Sequence, residues 1–460
     1  MLFFSYATAS SAMLIAAIYL FVRLRPFVTT TTILLSSLLM VYGPLSLMFT
    51  WFSGDYGSPV LMVVSGVKFP PSTFPTIAAK VGDLGPVVTE VNFALTVMYL
   101  AIVAGIEAVS LAFPSRASIA NSAISNWDKT RIIRERTNHP LLCAISVCSL
   151  VMLLYTIKEN HIETIKQFFS ITTDNAARNF FRAEYGGSPS YAYRVILSAL
   201  APMLVIWGLL TGLLERSMLL VSSSLVLLLV TLVGKIETLS KGPPAFFLLQ
   251  LILAMLLVFT NRLSWRVALL GGVLLLAVTY ISVRLLVISP ELSPLALAYS
   301  RIFESESETL VENFAVFPRL HPFMWGANLR PIAALMGMPY TPSFKVVGYT
   351  WYHDYHITSP TLFIADAWAD FSYAGVLVFS AVAGAICRAI DIVFLARGKS
   401  TVAIAVLGAA LWGVLTLLTT ALNIALVTGG LLIAPLLASI LMAATRRTPL
   451  FSSIDPSRME

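Results

Sequence analysis

Charged residues are scarce in this chain. They make up 12% of its 460 residues, whereas hydrophobic residues make up 58%. A soluble domain typically carries roughly 25% charged residues. The deficit, together with repeated apolar runs of about 20 residues, argues against a soluble domain and predicts an all-α polytopic membrane protein. Its polar connections must lie outside the hydrocarbon or line a protected cavity, because unpaired backbone groups are costly in lipid.

Cysteine is also rare, and the motifs that would give it chemistry are missing. Cys143, Cys148 and Cys387 all fall in apolar segments and show no CxxC or Cys/His spacing. We therefore predict buried, unreactive thiols and neither a disulfide framework nor a zinc site. No soluble basic domain accompanies the net charge of +7, so nucleic acid is excluded as a partner and the bilayer is favoured.

The chain start lacks the basic region of a secretory signal. In "MLFFSYATASSAMLIAAIYLFVRLRP" the positive charges follow the apolar run, which predicts an uncleaved first span. No internal repeat is evident at periods of about 20–50 residues. A transporter built from inverted repeats would show matched, broken spans in its two halves, so this absence weighs against transport.

The apolar runs predict about eleven transmembrane helices in one domain spanning residues 1–460. The predicted spans are 5–23, 29–51, 90–112, 140–157, 191–213, 217–234, 243–260, 267–288, 362–386, 402–422 and 424–444. Three long connections remain, at about 52–89, 158–190 and 289–361, and a tail at 445–460. The connection 158–190 is predicted to form short amphipathic helices ended by Gly186 and Gly187.

Short basic segments predict the orientation. Arg23 and Arg25 follow the first span, a basic loop follows the third, and Arg446 and Arg447 follow the last. The positive-inside rule places these segments and the tail in the cytoplasm, so the three long connections lie outside. The outer side nevertheless keeps 14 of the 30 Lys and Arg residues. This excess on the wrong side of the rule requires an explanation.

The outer cations suit a lipid-linked phosphate or pyrophosphate, which arginine holds through two parallel N–H···O bonds. The candidate pyrophosphate ligands are Arg178, Arg182, Lys235, Lys241, Arg319 and Arg330. Snorkelling to headgroups or pairing with outer acids is the alternative for any one of them. Lys241 is distinctive because it precedes Gly242-Pro243-Pro244 at the start of a span, where helix N-termini attract anions.

Two acidic patterns stand near the last long connection. The run "ESESETLVEN" predicts a solvated helix start capped by Ser305 or Ser307. Asp366 and Asp370 in "IADAWAD" are four residues apart and share one helix face near the outer end of a span. Carboxylates in a span indicate function, and Asp366 is a catalytic candidate, although both groups could instead lie at the hydrated headgroup level.

Aromatic residues surround the remaining candidates. In "FPRLHPFMWGANLRP", His321 and Trp325 lie among cations, which suits glycan binding by stacking and equally suits an interfacial belt. The stretch "GYTWYHDYHITSP" adds Trp351, Tyr352 and Tyr355 as further glycan candidates.

The same stretch contains His353, Asp354 and His356. A catalytic metal site normally needs a third ligand, HExxH is absent, and Gly348 and Pro360 argue against a long helix here. Acid–base chemistry by these three residues, which would take a proton from an attacking sugar hydroxyl, stands beside the alternative of an aromatic belt.

The chain resembles the O-antigen polymerase (Wzy) family. The likeness rests on the many-span layout, the outer-loop motif "NFFRAEY", the span opening "SKGPPAFFLLQLILAML", and the large late loop that ends in "SPTLFIADAWADFSYAGVLVFS". The enterobacterial common antigen polymerases resemble it most within that family.

The resemblance implies a metal-independent glycosyltransferase of the GT-C type without a cofactor, in the bacterial inner membrane. Such enzymes join oligosaccharide units carried on undecaprenyl pyrophosphate at the periplasmic face, and a chain-length-regulating co-polymerase is a candidate partner. The family's pyrophosphate arginines correspond to Arg182, Arg319 and Arg330, and Lys241 stands where relatives often have arginine. An O-antigen ligase, and a flippase or transporter of lipid-linked glycan, remain the alternatives.

Overall fold

The computed structural model describes residues 1–25, 27–52, 73–133, 138–158, 191–236, 242–259, 273, 277, 304–353, 359 and 361–446. All regular elements in these ranges are helical. They are α1 Leu2–Tyr19, α2 Thr30–Val41, α3 Pro44–Phe52, α4 Phe74–Val81, α5 Gly85–Ala112, α6 Pro114–Ser125, α7 Asn138–Lys158, α8 Tyr191–Val195, α9 Ala201–Glu215, α10 Met218–Ile236, α11 Gly242–Phe259, α12 Ser305–Val316, α13 Arg330–Leu335, α14 Ser343–Tyr352, α15 Phe363–Leu395, α16 Thr401–Leu417, α17 Leu422–Val427 and α18 Ile433–Arg446.

Six apolar helical segments of the described chain are long enough to cross a membrane, which confirms the predicted all-helical membrane class. They are Leu2–Leu24, Thr30–Trp51, Gly85–Ala112, Tyr191–Glu215, Met218–Ile236 and Phe363–Leu395. Four shorter apolar helices accompany them, at His139–Tyr155, Phe246–Phe259, Thr401–Leu417 and Ile433–Ala444. The total of eleven spans stays a prediction, and the predicted span 267–288 lies almost wholly outside the described residues.

One predicted span is divided. The segment predicted as a continuous helix over 424–444 forms α17 and α18, with Gly429 and Gly430 between them. Gly430 has φ +81°, a left-handed conformation that glycine adopts without steric cost. Gly430 also lies against the backbone of Ala199, so a side chain there would have no room.

The closest helix packing joins α5 to α15. A methyl group on Gly105 would lie 2.0 Å from the carbonyl oxygen of Ala381, and one on Gly384 would lie 2.4 Å from that of Ile102. Both distances are far below van der Waals contact. Glycine therefore lets the two backbones touch, as small residues do between helices in lipid, where apolar packing alone gives little preference.

The remaining long helices pack beside this pair. α1 and α2 lie against α5 and α15, while α9 packs on α7, α10 and α16, and α11 packs on α16. Pro202 at the start of α9 has no N–H to donate, and the helix preceding it widens to a π turn at Ile196–Leu200. The Trp127 indole donates a hydrogen bond to the carbonyl of Leu257 at 2.8 Å. This bond joins the segment that follows α6 to α11.

The described bundle has two distinct ends. The helices α1 and α5 both finish at one end of the bundle. We call it the basic end, because it contains Arg23, Arg25 and Arg116. At the opposite end, residues 304–353 form a polar layer of α12, α13 and α14, which we call the cap. It lies against α3, α4 and the first turns of α5 and α15.

The cysteines differ partly from the prediction. All three are free, and Cys148 and Cys387 are buried, but Cys143 is exposed. It lies on the outward face of α7, which the bundle leaves open to lipid.

Replacement of Gly105 by leucine tests the contact between α5 and α15. We expect Gly105→Leu to destabilise the protein by about 1–3 kcal/mol, because the side chain forces the backbones apart. Ala104→Leu is the matched control, since Ala104 is exposed on the same turn. Thermal melting of both purified variants in detergent measures the difference. Equal melting temperatures would contradict the role of this contact.

Candidate functional site

The first turns of α15 carry two buried aspartates at the boundary with the cap. Asp366 and Asp370 are 6% and 0% exposed and share one helix face, as the sequence predicted. Directly after Asp370 the helix breaks, with Phe371 at φ −135° and Ser372 at φ +55°. The aspartates thus belong to a short leading helix that is separated from the remainder of α15.

Asp366 ties two parts of the cap together. Its Oδ1 accepts hydrogen bonds from Asn328 Nδ2 at 2.9 Å and from the Ser343 hydroxyl. Asn328 Oδ1 in turn accepts from the backbone N–H of Ser343 at 3.0 Å. The resulting closed triangle fixes the loop before α13 to the start of α14.

Asp370 holds the same loop through its backbone. Its Oδ1 accepts from the N–H of Gly326 at 2.9 Å and from that of Asn328 at 3.4 Å. The helix break frees two further acceptors, so the carbonyls of Ala369 and Asp370 receive the N–H groups of Met324 and Trp325 at 2.8 and 3.2 Å. The loop therefore replaces the turn that α15 would otherwise continue.

These contacts define the role that the structure gives to the carboxylates. Asp366 was a catalytic candidate in the sequence, yet here its Oδ1 has two donors and serves to position the cap. The Asp370 Oδ2 atom is buried and has no hydrogen-bond partner among the described residues. The N–H groups that bind such a buried carboxylate are held firmly, because without it they would be buried with no hydrogen-bond acceptor.

Arg330 is an exposed candidate cation of the cap. It begins α13, is exposed, and its guanidinium lies 4.7 Å from the ring centre of Tyr340 and 6.0 Å from that of Tyr191. No carboxylate of the described chain forms an ion pair with it. Burial raises the pKa of the Tyr340 hydroxyl, and the charge of Arg330 partly opposes that rise. A cation flanked by two tyrosine rings suits an anionic or sugar-bearing ligand.

Arg319 has a protein partner instead. Its two terminal nitrogens reach the two carboxylate oxygens of Glu90 at 2.8 and 2.9 Å, a bidentate ion pair between the cap and the first turns of α5. A third bond goes to the carbonyl of Phe314 at 3.1 Å. A pyrophosphate could use this fork only by displacing Glu90, so the predicted ligand role of Arg319 has a competitor.

The acidic helix α12 corrects one prediction. The run was interpreted as a solvated helix start, but Glu304 and Glu312 are only 3% and 2% exposed. Ser307 does not cap the helix; its hydroxyl shares a 2.7 Å hydrogen bond with that of Ser46. Sequence alone suggested solvation because four acids lie close together, whereas tertiary packing buries Glu304 and Glu312, and the helix begins at Ser305 without a side-chain cap.

Glu312 is the best-defined of these acids. It accepts from the Ser359 hydroxyl at 2.7 Å and from the Tyr352 hydroxyl at 3.2 Å. Burial raises the pKa of Glu312, and the two hydroxyl donors only partly offset that rise. Burial and the charge of Glu312 also raise the pKa of Tyr352 to about 12. Tyr352, predicted to bind glycan, therefore also joins α14 to α12.

The stretch "GYTWYHDYHITSP" begins inside α14. That helix is ten residues long, includes Gly348 and ends at Tyr352. His353 follows in a left-handed conformation, φ +54°, with an exposed ring that touches Tyr349 edge-on. Trp351 is buried beneath Lys80 at 5.0 Å, which favours packing over stacking on a sugar. Asp354, Tyr355 and His356 lie outside the described residues.

Two further aromatic candidates differ in exposure. Trp325 is 61% exposed, with φ +51°, and stands on the loop that Asp370 anchors. His321 is half-buried, its Nδ1 is 2.7 Å from the carbonyl of Pro322, and its ring meets Phe317 edge-on. Trp325 is thus free to contact a ligand, and His321 is partly committed to its own loop.

Lys235 lies in a different place from the one predicted. The sequence put it between two spans, but it is 1% exposed in the last turn of α10. Its ammonium lies 5.6 Å from the ring centre of Phe247 and 5.4 Å from that of Trp412. Such a position favours a cation–π role between helices. Arg178, Arg182 and Lys241 fall outside the described residues.

Several residues that build the site were not singled out from the sequence. Asn328, Ser343 and Tyr340 surround Asp366 and Arg330, and Glu90 pairs with Arg319. Polar residues flanking a predicted span were the available signal for Glu90. Within the part of the chain that the structure describes, no three His, Cys, Asp or Glu side chains converge as metal ligands.

No protein-family model, curated protein or solved structure matches this chain.

Titration of Glu312 gives a testable pH dependence. Its folded pKa is raised, so its contribution to stability is present at low pH and is lost as the pH rises through that pKa. We expect the melting temperature of the wild type, relative to Glu312→Gln, to fall as the pH increases. Melting curves between about pH 5 and pH 8 test this. A constant difference between the two proteins would contradict it.

Removal of Asp370 should loosen the loop that carries Trp325 and Arg330. Asp370→Ala deletes an acceptor of two backbone N–H groups, a loss of about 1–3 kcal/mol. We expect trypsin to cleave between Arg319 and Leu320 at least about fivefold faster. Asp83→Ala is the control, because Asp83 accepts only the N–H of Gly85, at 2.9 Å, on the exposed surface. Equal cleavage of the two variants would show that Asp370 is not an anchor.

Proposed function

We propose that this protein polymerises oligosaccharide repeat units carried on undecaprenyl pyrophosphate into a surface polysaccharide of the O-antigen or enterobacterial common antigen type. The observation that supports this most is the position of Arg330. The cap presents this exposed cation beside Tyr340 and Tyr191, on a loop held by two buried aspartates. A fixed guanidinium next to aromatic rings suits a substrate that joins a pyrophosphate to a sugar.

The chemistry follows from those groups. A terminal sugar hydroxyl attacks the anomeric carbon of the growing chain and forms the new glycosidic bond. The bond between that carbon and the pyrophosphate oxygen breaks, and its electron pair leaves with the lipid pyrophosphate. Arg330, with Arg182 and Lys241 from the sequence, stabilises the developing negative charge. The attacking hydroxyl loses its proton to one of His353, Asp354 or His356.

The proposal includes a topology. In it the chain has eleven spans and a GT-C-like arrangement in the bacterial inner membrane. The cap faces the periplasm, and the basic end, with the C-terminal tail, faces the cytoplasm. The charge bias of the short connections supports this orientation.

Arg319 acts in this scheme as a positioning residue. Its bidentate pair with Glu90 ties the cap to α5, and a partly exposed pair of this kind contributes about 1 kcal/mol or less to stability. Its loss would lower elongation by misplacing the loop. Glu90→Gln should then impair elongation nearly as much as Arg319→Gln does, whereas a direct pyrophosphate role predicts loss only for Arg319→Gln.

The decisive measurement is elongation of a defined lipid-linked repeat unit by purified protein. We expect Arg330→Gln to lower the elongation rate by about 100-fold, as the loss of one transition-state donor does. Arg330→Lys should restore it only partly, because lysine lacks the bidentate fork. Lys345→Gln is the matched control, since Lys345 is an exposed cation of the same cap.

The outcomes separate the alternatives. Normal elongation by Arg330→Gln would remove Arg330 from the mechanism. If the wild-type protein formed no longer products from a verified native substrate, the polymerase proposal would be refuted. Transfer of a preformed chain to lipid A-core would identify a ligase, and translocation without bond formation would identify a transporter.

A further inference from the structure

A polar cavity of about 630 Å³ lies at the basic end, far from the cap. It is an open cavity lined by the end of α1 with the turn that follows it, the last turn of α5, one face of α6 and Arg388 of α15. Its polar lining consists of Tyr19, Arg23, Arg25, Thr29, Glu107, Ser110, Ser118, Asn121, Ser122, Ser125, Asn126 and Arg388. A polar concavity of this size can hold a small charged group.

Arg388 is the deepest cation in this cavity. It is 6% exposed, and its guanidinium donates to the hydroxyl of Ser110 at 2.9 Å and to Asn121 Oδ1 at 3.3 Å. Both partners are neutral. No carboxylate of the described chain forms an ion pair with Arg388, so its charge is buried with only dipoles in direct contact.

The nearest acid along α15 has other partners. Asp391, one turn on, accepts from the backbone N–H groups of Thr30 and Thr31 at 2.8 and 2.9 Å, and from the Thr31 hydroxyl. It caps the start of α2, and although its charge acts on Arg388, the two side chains form no ion pair. A buried charge is costly unless a counter-charge approaches it.

The cavity as a whole has an excess of positive charge. Arg23, Arg25 and Arg388 face a single acid, Glu107, among the described lining residues. Glu107 is already engaged by the Tyr19 hydroxyl at 2.7 Å and by Arg23 at 3.2 Å. Neither Arg25 nor Arg388 forms an ion pair with an acid of the described chain, although the charge of Asp391 lies near Arg388. Serine hydroxyls of α6 line the same cavity as further donors.

We propose that this cavity binds a phosphate group, independently of the glycan chemistry at the cap. Guanidinium groups hold phosphate through paired hydrogen bonds, and hydroxyls complete its coordination. Either a phospholipid headgroup or a free phosphate could supply that group. The rim of the cavity favours a phospholipid headgroup over free phosphate. Val22 and Leu111 line the cavity and are 73% and 76% exposed, so they offer apolar surface that an acyl chain would cover.

The test uses the full-length protein purified in detergent and measures bound ligand by native mass spectrometry. Phosphatidylglycerol supplies the phosphate as a headgroup, and inorganic phosphate supplies it free. We expect phosphatidylglycerol to bind the wild type at least about tenfold more tightly than the double variant Arg23→Gln/Arg25→Gln, or Arg388→Gln. The double variant alters two exposed residues, so it tests the site even where Arg388→Gln fails to fold.

Arg116→Gln is the matched control. Arg116 is an exposed arginine on α6 at the same end, but it does not line the cavity. Unchanged binding by Arg116→Gln with loss in the cavity variants supports the proposal. Saturation by inorganic phosphate, with the same dependence on Arg388, supports it with a free phosphate as the ligand. Equal binding by all variants, or an equal loss for Arg116→Gln, overturns it.

Discussion

The contact between α5 and α15 is the constraint on which the rest depends. Gly105 and Gly384 let two backbones touch within the bundle, and the helices then run side by side from one end to the other. At one end this pair brings Glu90 next to Arg319 of the cap. At the other it brings Ser110 to Arg388. A single contact of small residues thus aligns both polar regions of the molecule.

α15 also shows how this fold uses buried carboxylates. Asp366, Asp370 and Asp391 each accept N–H or hydroxyl groups from segments distant along the chain. The donors belong to the start of α14, the loop after α12 and the start of α2. Each of these segments has backbone groups that no helix satisfies, and a carboxylate accepts several donors at once. The helix therefore organises loops as well as crossing the bundle.

The helical membrane class was predictable because apolar length and charge scarcity are properties of the sequence itself. The shared face of Asp366 and Asp370 was predictable for the same reason, since helix periodicity fixes it. The burial of Glu312 and the ion pair between Arg319 and Glu90 were not predictable. Both depend on partners more than 40 residues away, namely Ser359 and Glu90, which local pattern cannot identify. The division of the last predicted span at Gly429 and Gly430 was signalled only by two adjacent glycines.

The break at Phe371 and Ser372 has a consequence for depth in the bilayer. The continuous part of α15, Tyr373–Leu395, rises about 34 Å at 1.5 Å per residue, close to the thickness of a hydrocarbon core. This continuous part is therefore long enough by itself to cross a bilayer, without the short helix that precedes the break. Asp366 and Asp370 lie before the break and Arg388 and Asp391 lie towards the C-terminal end, so α15 carries its charges near its two ends and has none between Phe371 and Cys387.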